Sequence, residues 1–221
     1  MPRGGIKYSF NENNNIYASV STGYKSGGFN TSLFYNDPAF KYDEETTTNY
    51  ELGMKNTFWD GRVTLNTALF YIDWRDQQVL AYDAATNATP IINAPRSRSY
   101  GFEASLAGKF DNGFRAGIGV GYADATYEEF ENAPATAGRR TINANGNQQQ
   151  FHSKFTGRAS VGYEHELPWD KLVASIDLTF RYRSSYYYDI ENRLEQDGYG
   201  TFDLSLGLGN DNYEVNLWGR N

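Results

Sequence analysis

The chain of 221 residues contains no cysteine, which removes disulfide frameworks, thiolate metal sites and cysteine nucleophiles at once. It has only two histidines, His152 and His165. No stretch approaches the roughly 18 apolar residues that a membrane-crossing helix needs. Positive charge is in the minority, with 20 Lys plus Arg against 27 Asp plus Glu and a net charge of −7. Without a basic stripe to neutralise phosphates, no nucleic-acid partner is expected. The first residues, Met1-Pro2-Arg3-Gly4-Gly5, lack the apolar region of a secretory signal. An exported protein needs one, so export would make this chain an internal segment of a longer protein.

Aromatic residues make up 16% of the chain, with 18 Tyr and 14 Phe, and glycine is frequent at 22. The mean hydropathy is negative. Membrane-crossing strands accommodate this, because only every second residue meets lipid. The dominant pattern has period two. Tyr100, Phe102, Ala104, Leu106, Gly108 and Phe110 share one face, against Gly101, Glu103, Ser105, Ala107 and Lys109 on the other. Asp111-Asn112-Gly113 is a hairpin signal. The return strand then alternates Phe114, Ala116, Ile118, Val120 and Tyr122 against Arg115, Gly117, Gly119 and Gly121.

Extended along the chain, the pattern predicts ten strands: 5–11, 16–24, 46–59, 62–80, 93–110, 114–130, 151–167, 172–189, 199–209 and 213–221. Several are about fifteen residues long, where soluble strands average about five or six. The strand at 62–80 is less regular, with Phe70 and Ile72 on its polar face. Short connectors (11–15, 60–61, 111–113, 168–171, 210–212) alternate with long polar ones (25–45, 81–92, 131–150, 190–198). Tight turns on one rim and long loops on the other predict an all-β, antiparallel up-and-down transmembrane β-barrel. Trp59, Phe110, Phe114 and Trp169 suggest one interfacial aromatic girdle, and Trp74, Tyr127, Phe130 and Tyr186–Tyr188 the other.

Particular strings then resemble TonB-dependent outer-membrane receptors. These are Tyr17–Asn30 (YASVSTGYKSGGFN), Asn49–Gln78 (NYELGMKNTFWDGRVTLNTALFYIDWRDQQ), Asn93–Glu103 (NAPRSRSYGFE) and the closing Leu217–Asn221 (LWGRN). They follow the order expected for the C-terminal part of that barrel and cover nearly all of the chain. The resemblance implies a 22-stranded barrel whose lumen is closed by an N-terminal plug. It also implies energised uptake of a scarce nutrient, typically a ferric siderophore, through the TonB protein, with outer-membrane lipid as the surrounding partner. The whole chain, residues 1–221, would then be part of the barrel domain, with the plug outside it.

The residues point to no enzyme, cofactor or resident metal. Glu164, His165 and Glu166 cannot converge, since neighbours on a strand face opposite ways. The same geometry separates His152 from Ser153, the one adjacent pair resembling a hydrolase dyad. The inward face carries both signs, from Glu51, Lys55, Glu103, Lys109, Arg115, Arg158, Asp177, Arg181, Arg183, Asp203, Glu214 and Arg220. Among loop residues, Arg96, Arg98, Arg139, Arg140 and Arg193 could clamp an anionic ferric chelate bidentately. Tyr186, Tyr187 and Tyr188 could stack on its rings. The polar tract Asn143–Gln150 (NANGNQQQ) is expected to be disordered. The alternative function is a self-contained ten-stranded barrel acting as an adhesin or structural protein. That reading requires hydrogen bonds between the first and last strands.

Overall fold

The computed structural model describes residues 1–82, 87–135, 141–169 and 171–221. The strands are β1 (Arg3–Ser9), β2 (Asn14–Lys25), β3 (Gly28–Phe29), β4 (Lys41–Tyr42), β5 (Glu45–Phe58), β6 (Val63–Leu80), β7 (Ile91–Lys109) and β8 (Phe114–Glu129). They continue with β9 (Ala133–Pro134), β10 (Thr141–Ile142), β11 (Phe155–Glu166), β12 (Val173–Arg183), β13 (Tyr186–Tyr187), β14 (Glu195–Gln196), β15 (Tyr199–Gly209) and β16 (Glu214–Arg220). Ten of them form one antiparallel sheet in the order β1-β2-β5-β6-β7-β8-β11-β12-β15-β16. The three remaining pairs are two-residue ribbons within the long connections. These ten wall strands match the ten predicted, with most ends displaced by a few residues; the strand expected over 172–189 ends at Arg183, and Tyr186–Tyr187 belong to a separate ribbon.

The register shows why the alternation matters. Ile6, Ala18, Leu52, Leu69, Phe102, Tyr122 and Phe155 are successive cross-strand partners over seven strands. A parallel row runs Ala159, Phe180, Phe202. A one-residue slip anywhere would turn these rows to the other face, so the apolar pattern locks the register. The opposite face lines a concave trough and carries Glu51, Lys55, Glu103, Arg158 and Arg181. The apolar rows are therefore outward, and the polar ones face the lumen. Phe70 stands on the lumen side, opposite Glu51 and Gly101. It is a true exception to the pattern, as its position suggested.

Aromatic residues on the outward face form belts, with one correction to their membership. Tyr50, Tyr71 and Tyr100 are direct partners across β5, β6 and β7, with the Tyr50 and Tyr71 rings 6.4 Å apart. Phe102 stacks on Tyr122 at 6.1 Å. Trp74, Tyr127 and Phe130, expected in this girdle, are not in it. Trp74 shares the lumen-side parity of Phe70 and donates its indole N–H to Glu45. Tyr127 and Phe130 are buried in a small core under the loops. On the short-turn rim Phe110 and Phe114 stack at 6.2 Å, and Trp59 and Trp169 are exposed.

The tight turns use the conformations their residues allow. Asp60 and Gly61 both take positive φ, and Gly113 closes the 111–113 turn at φ +85. Proline inside a central strand has no N–H for the ladder. At Pro95 the β6–β7 ladder steps from Arg75↔Arg96 to Gln77↔Ala94. The skipped Asp76 takes φ +51, and the Asn93 side chain donates to its carbonyl at 2.7 Å. The sheet is open: β1 and β16 lie at its two ends and do not pair. The closure that a self-contained ten-stranded barrel requires is not made.

An arginine placed at Leu69, in the middle of the outward rows, should lower the unfolding free energy in phosphocholine vesicles by about 2–4 kcal/mol. The same charge at lumen-facing Ser105 should cost less than about 1 kcal/mol. Guanidinium titration of the two variants checks the assignment of faces.

Candidate functional site: the lumen wall and the long-loop rim

On the lumen face, β2, β5, β6, β7, β8, β11, β12 and β15 together line a trough of about 790 Å³. Several charges of the lumen face pair with each other. Arg115 grips Asp177 through Nε at 3.0 Å and Nη2 at 2.6 Å, and reaches Glu164 through Nη1 at 2.9 Å. Arg181 is ion-paired with Asp203. Tyr17 donates its hydroxyl to Glu51 at 2.6 Å. The wall is polar and partly ion-paired, with two like-charged cross-strand pairs, Arg158 opposite Arg181 and Lys109 opposite Arg115.

Above the wall the long connections are bolted together by amide side chains. Asn30 donates to the carbonyl of Ile91 at 2.8 Å and accepts from its N–H at 2.9 Å. Asn93 does the same with Asp43, accepting from its N–H at 2.8 Å and donating to its carbonyl at 3.0 Å. Asn192 repeats the arrangement with Gln148, at 2.7 and 2.9 Å. In each case one carboxamide replaces a peptide neighbour in a ladder. A core of Val79, Ala81, Ala94, Tyr127, Phe130, Ala133, Ala144 and Ile190 lies among these connections.

The tract Asn143–Gln150 is therefore not disordered. The upper part of β8 outruns β11, and its free backbone groups are taken by this tract. Tyr127 donates to Asn147, Gly146 to Tyr127, and Gln149 to Ala125. Its other flank meets the 184–198 connection, where Asn147 bonds Ile190 and Gln150 bonds Tyr188. Gln149 reaches Gln77 at 3.2 Å and is buried. Composition suggested a solvated tip, but amide side chains with backbone partners make an ordered wedge.

The expected ligand contacts separate into three groups. Arg139 and Arg140 lie outside the described residues. Arg96 and Arg98 are not in a loop: they stand on β7 with the parity of Tyr100 and Phe102, so they point outward. Both are paired with Glu128, at 3.1 and 3.0 Å, and Arg96 also with Asp73 at 3.0 Å. Tyr186, Tyr187, Tyr188 and Arg193 do come together in one connection, carried by the β13–β14 ribbon.

That connection is organised by Arg183 and Phe151, which sequence reasoning did not single out for this rim. The Arg183 guanidinium lies 4.5 Å above the Tyr186 ring and bonds the Phe151 carbonyl and Ser153 Oγ. Tyr186 and Tyr188 pack edge to face at 5.2 Å, and Tyr188 and Phe151 at 5.7 Å. The hydrogen bond to Tyr188 raises the Tyr186 hydroxyl above the ordinary phenol range, so it is protonated at neutral pH. Beside this stack opens a cavity of about 350 Å³ lined by Tyr82, Pro134, Phe151, Tyr188, Ile190 and Leu194. Arg193 is exposed and meets Glu191 at 3.3 Å. An aromatic wall with an adjacent guanidinium suits a planar, anionic ligand. The two histidines are occupied elsewhere. His152 Nε2 lies 2.8 Å from the Ala123 carbonyl, Ser153 donates to the Ser184 carbonyl, and His165 stacks on Tyr163.

Comparison with known proteins matches this architecture. The family model described as TonB dependent receptor-like, beta-barrel matches residues 1–221. The pesticin receptor of Yersinia pestis is 26% identical over 200 residues, covering 90% of this chain and 27% of that protein. The ferripyoverdine receptor of Pseudomonas aeruginosa is 28% identical over 127 residues, covering 54% of this chain and 15% of that protein. The chain thus spans about a quarter of the length of the first of these relatives. Among solved structures, the ferric yersiniabactin uptake receptor of Yersinia pestis superposes with a TM-score of 0.77 at 22% identity, over 98% of this chain and 31% of that one. A siderophore receptor of Acinetobacter baumannii gives 0.75 at 22% identity, over 98% and 30%.

Replacing Asn192 by Ala removes both bonds to Gln148 and leaves alanine at φ +58. At about 1 kcal/mol per lost bond, cleavage within 143–150 under limited proteolysis should rise about tenfold or more. An unchanged rate would mean that the wedge is held by something else.

Proposed function

The chain belongs to the TonB-dependent receptor-like β-barrel family, and on that premise we propose that it is wall and outer rim of a receptor importing a ferric siderophore. Its place is the outer membrane of a Gram-negative bacterium. In this proposal residues 1–221 supply ten of the about 22 strands of a plugged barrel. An N-terminal plug fills the lumen against the polar trough, and TonB acts on that plug.

The observation that carries the reading is the family match over the whole chain, on a sheet with one polar concave face and one apolar outward face. The relatives named for ferripyoverdine and for ferric yersiniabactin support the cargo class. At the rim, Tyr186, Tyr187, Tyr188 and Arg193 are proposed to meet the chelate, with Phe151 as a further aromatic wall. Arg139 and Arg140 are retained as proposed contacts of the same rim.

The test is uptake of iron-55 siderophore by cells in which the intact receptor is the sole route, with and without TonB. Uptake should fall to background without TonB while surface binding persists. TonB-independent uptake, or accumulation of cobalamin or a glycan instead of iron, would overturn the proposal. Within it, Arg193→Gln should weaken binding of a carboxylate-bearing chelate by about tenfold or more, since a charge-assisted hydrogen bond contributes about 1.5–3 kcal/mol.

A further inference from the structure

Phe151 takes φ +58, a left-handed conformation that a bulky aromatic residue disfavours. It joins two anchored neighbours. Gln150 donates to the Tyr188 carbonyl at 2.9 Å, and His152 bonds the Ala123 carbonyl on the other side. Phe151 itself is held from two directions. Its N–H donates to the Tyr187 carbonyl at 2.7 Å, and its carbonyl accepts from Arg183 Nη2. Strain of this kind persists while the surrounding contacts hold it, and it is released when one of them is withdrawn.

Both residues stand between two cavities. Phe151 lines the outer cavity of about 350 Å³ beside Tyr188 and Leu194. It also lines a pocket of about 330 Å³ on the lumen side, with Phe70, His152, Lys154 and Thr156. Arg183 lines that inner pocket and the trough, while its guanidinium lies over Tyr186 of the outer stack. Its charge is not compensated. Among the described residues its partners are the Phe151 carbonyl, Ser153 Oγ and the Tyr186 ring, all neutral. A carboxylate or phenolate arriving beside it adds a Coulomb attraction that the Phe151 carbonyl lacks, and so displaces that carbonyl from Nη2.

We propose that Phe151 and Arg183 form a two-position switch that relays a planar anionic ligand in the outer cavity to the lumen face. The ligand's anion takes Arg183 Nη2 from the Phe151 carbonyl, and its ring packs against Tyr188. Phe151 then relaxes out of the left-handed region and its ring leaves the stack. The guanidinium turns with the anion, and the inner pocket that both residues line changes shape. The ligand favours the second position because only there is Nη2 available to it, which is the differential affinity that a conformational change requires. The switch deepens the reading of this rim as a ligand site and rests on it, whatever metal the ligand carries.

The test uses the intact purified receptor carrying Thr156→Cys, directly opposite Arg183 on the lumen face, as its sole accessible thiol. An environment-sensitive fluorophore is attached there. The probe is salicylate, a planar arene with a carboxylate, and salicyl alcohol is its neutral control. Salicylate should give a saturable fluorescence change, and salicyl alcohol should bind about tenfold or more weakly. Arg183→Lys keeps the charge but loses the fork that latches Phe151. It should still prefer salicylate, yet lose most of the amplitude at saturation. Phe151→Gly removes both ring and strain, and should lose most of the amplitude whatever its affinity. Either variant decides the test if the other does not fold. Absence of salicylate binding by equilibrium dialysis, binding without a fluorescence change, or full amplitude in either variant would overturn the switch. TonB-dependent siderophore uptake without a salicylate signal would overturn the switch alone. A salicylate signal without such uptake would support the switch and overturn the import reading instead.

Discussion

Everything in this wall follows from the cost of an unpaired peptide group in lipid. With no water at hand, each N–H and C=O in the membrane needs a partner within the protein. A continuous antiparallel ladder provides one for every residue, at the price of sending alternate side chains to opposite faces. From that come the apolar row from Ile6 to Phe155 on one side and the paired charges of Arg115, Asp177 and Glu164 on the other. A register error would expose both sets together. Positional specificity and membrane compatibility are thus one property.

The same demand persists above the membrane, where the ladder frays because neighbouring strands differ in length. There the structure uses side-chain amides as substitute peptides. Asn30, Asn93 and Asn192 each offer one donor and one acceptor to a backbone segment of another connection. The tract 143–150 fills the gap left where β8 outruns β11. A rim held in this way places the proposed contacts Tyr186, Tyr187, Tyr188 and Arg193 on a prepared framework, so a ligand of the proposed site would find the loops already ordered.

The strands and their faces were legible in the sequence because period two is a local signal. Parity alone also held information that position in the chain obscured. Trp74 has the parity of Phe70, and Tyr127 that of Arg115, so both belong inside. Arg96 and Arg98 have the parity of Phe102, so both belong outside. Nearness to a loop was the weaker guide. The loop order was not legible, because each asparagine clamp joins residues 44 to 61 positions apart. A tract such as NANGNQQQ reads as solvated until its partners are known. Pro95 shows the opposite case: its missing N–H marks a break in the ladder, and the compensating bond from Asn93 to Asp76 lies only 17 residues away.

The absence of cysteine from this chain makes a direct test of the two-faced wall practical. Single cysteines at positions 100 to 109 of β7 can be introduced into the intact receptor and probed in native outer membranes with a membrane-impermeant maleimide and a lipid-dissolved quencher. The account predicts strict alternation. Positions 100, 102, 104 and 106 should be quenched from the lipid and resist the aqueous reagent, while 101, 103, 105 and 107 should escape lipid quenching. Uniform reactivity along the strand, or alternation with the phase reversed, would contradict it.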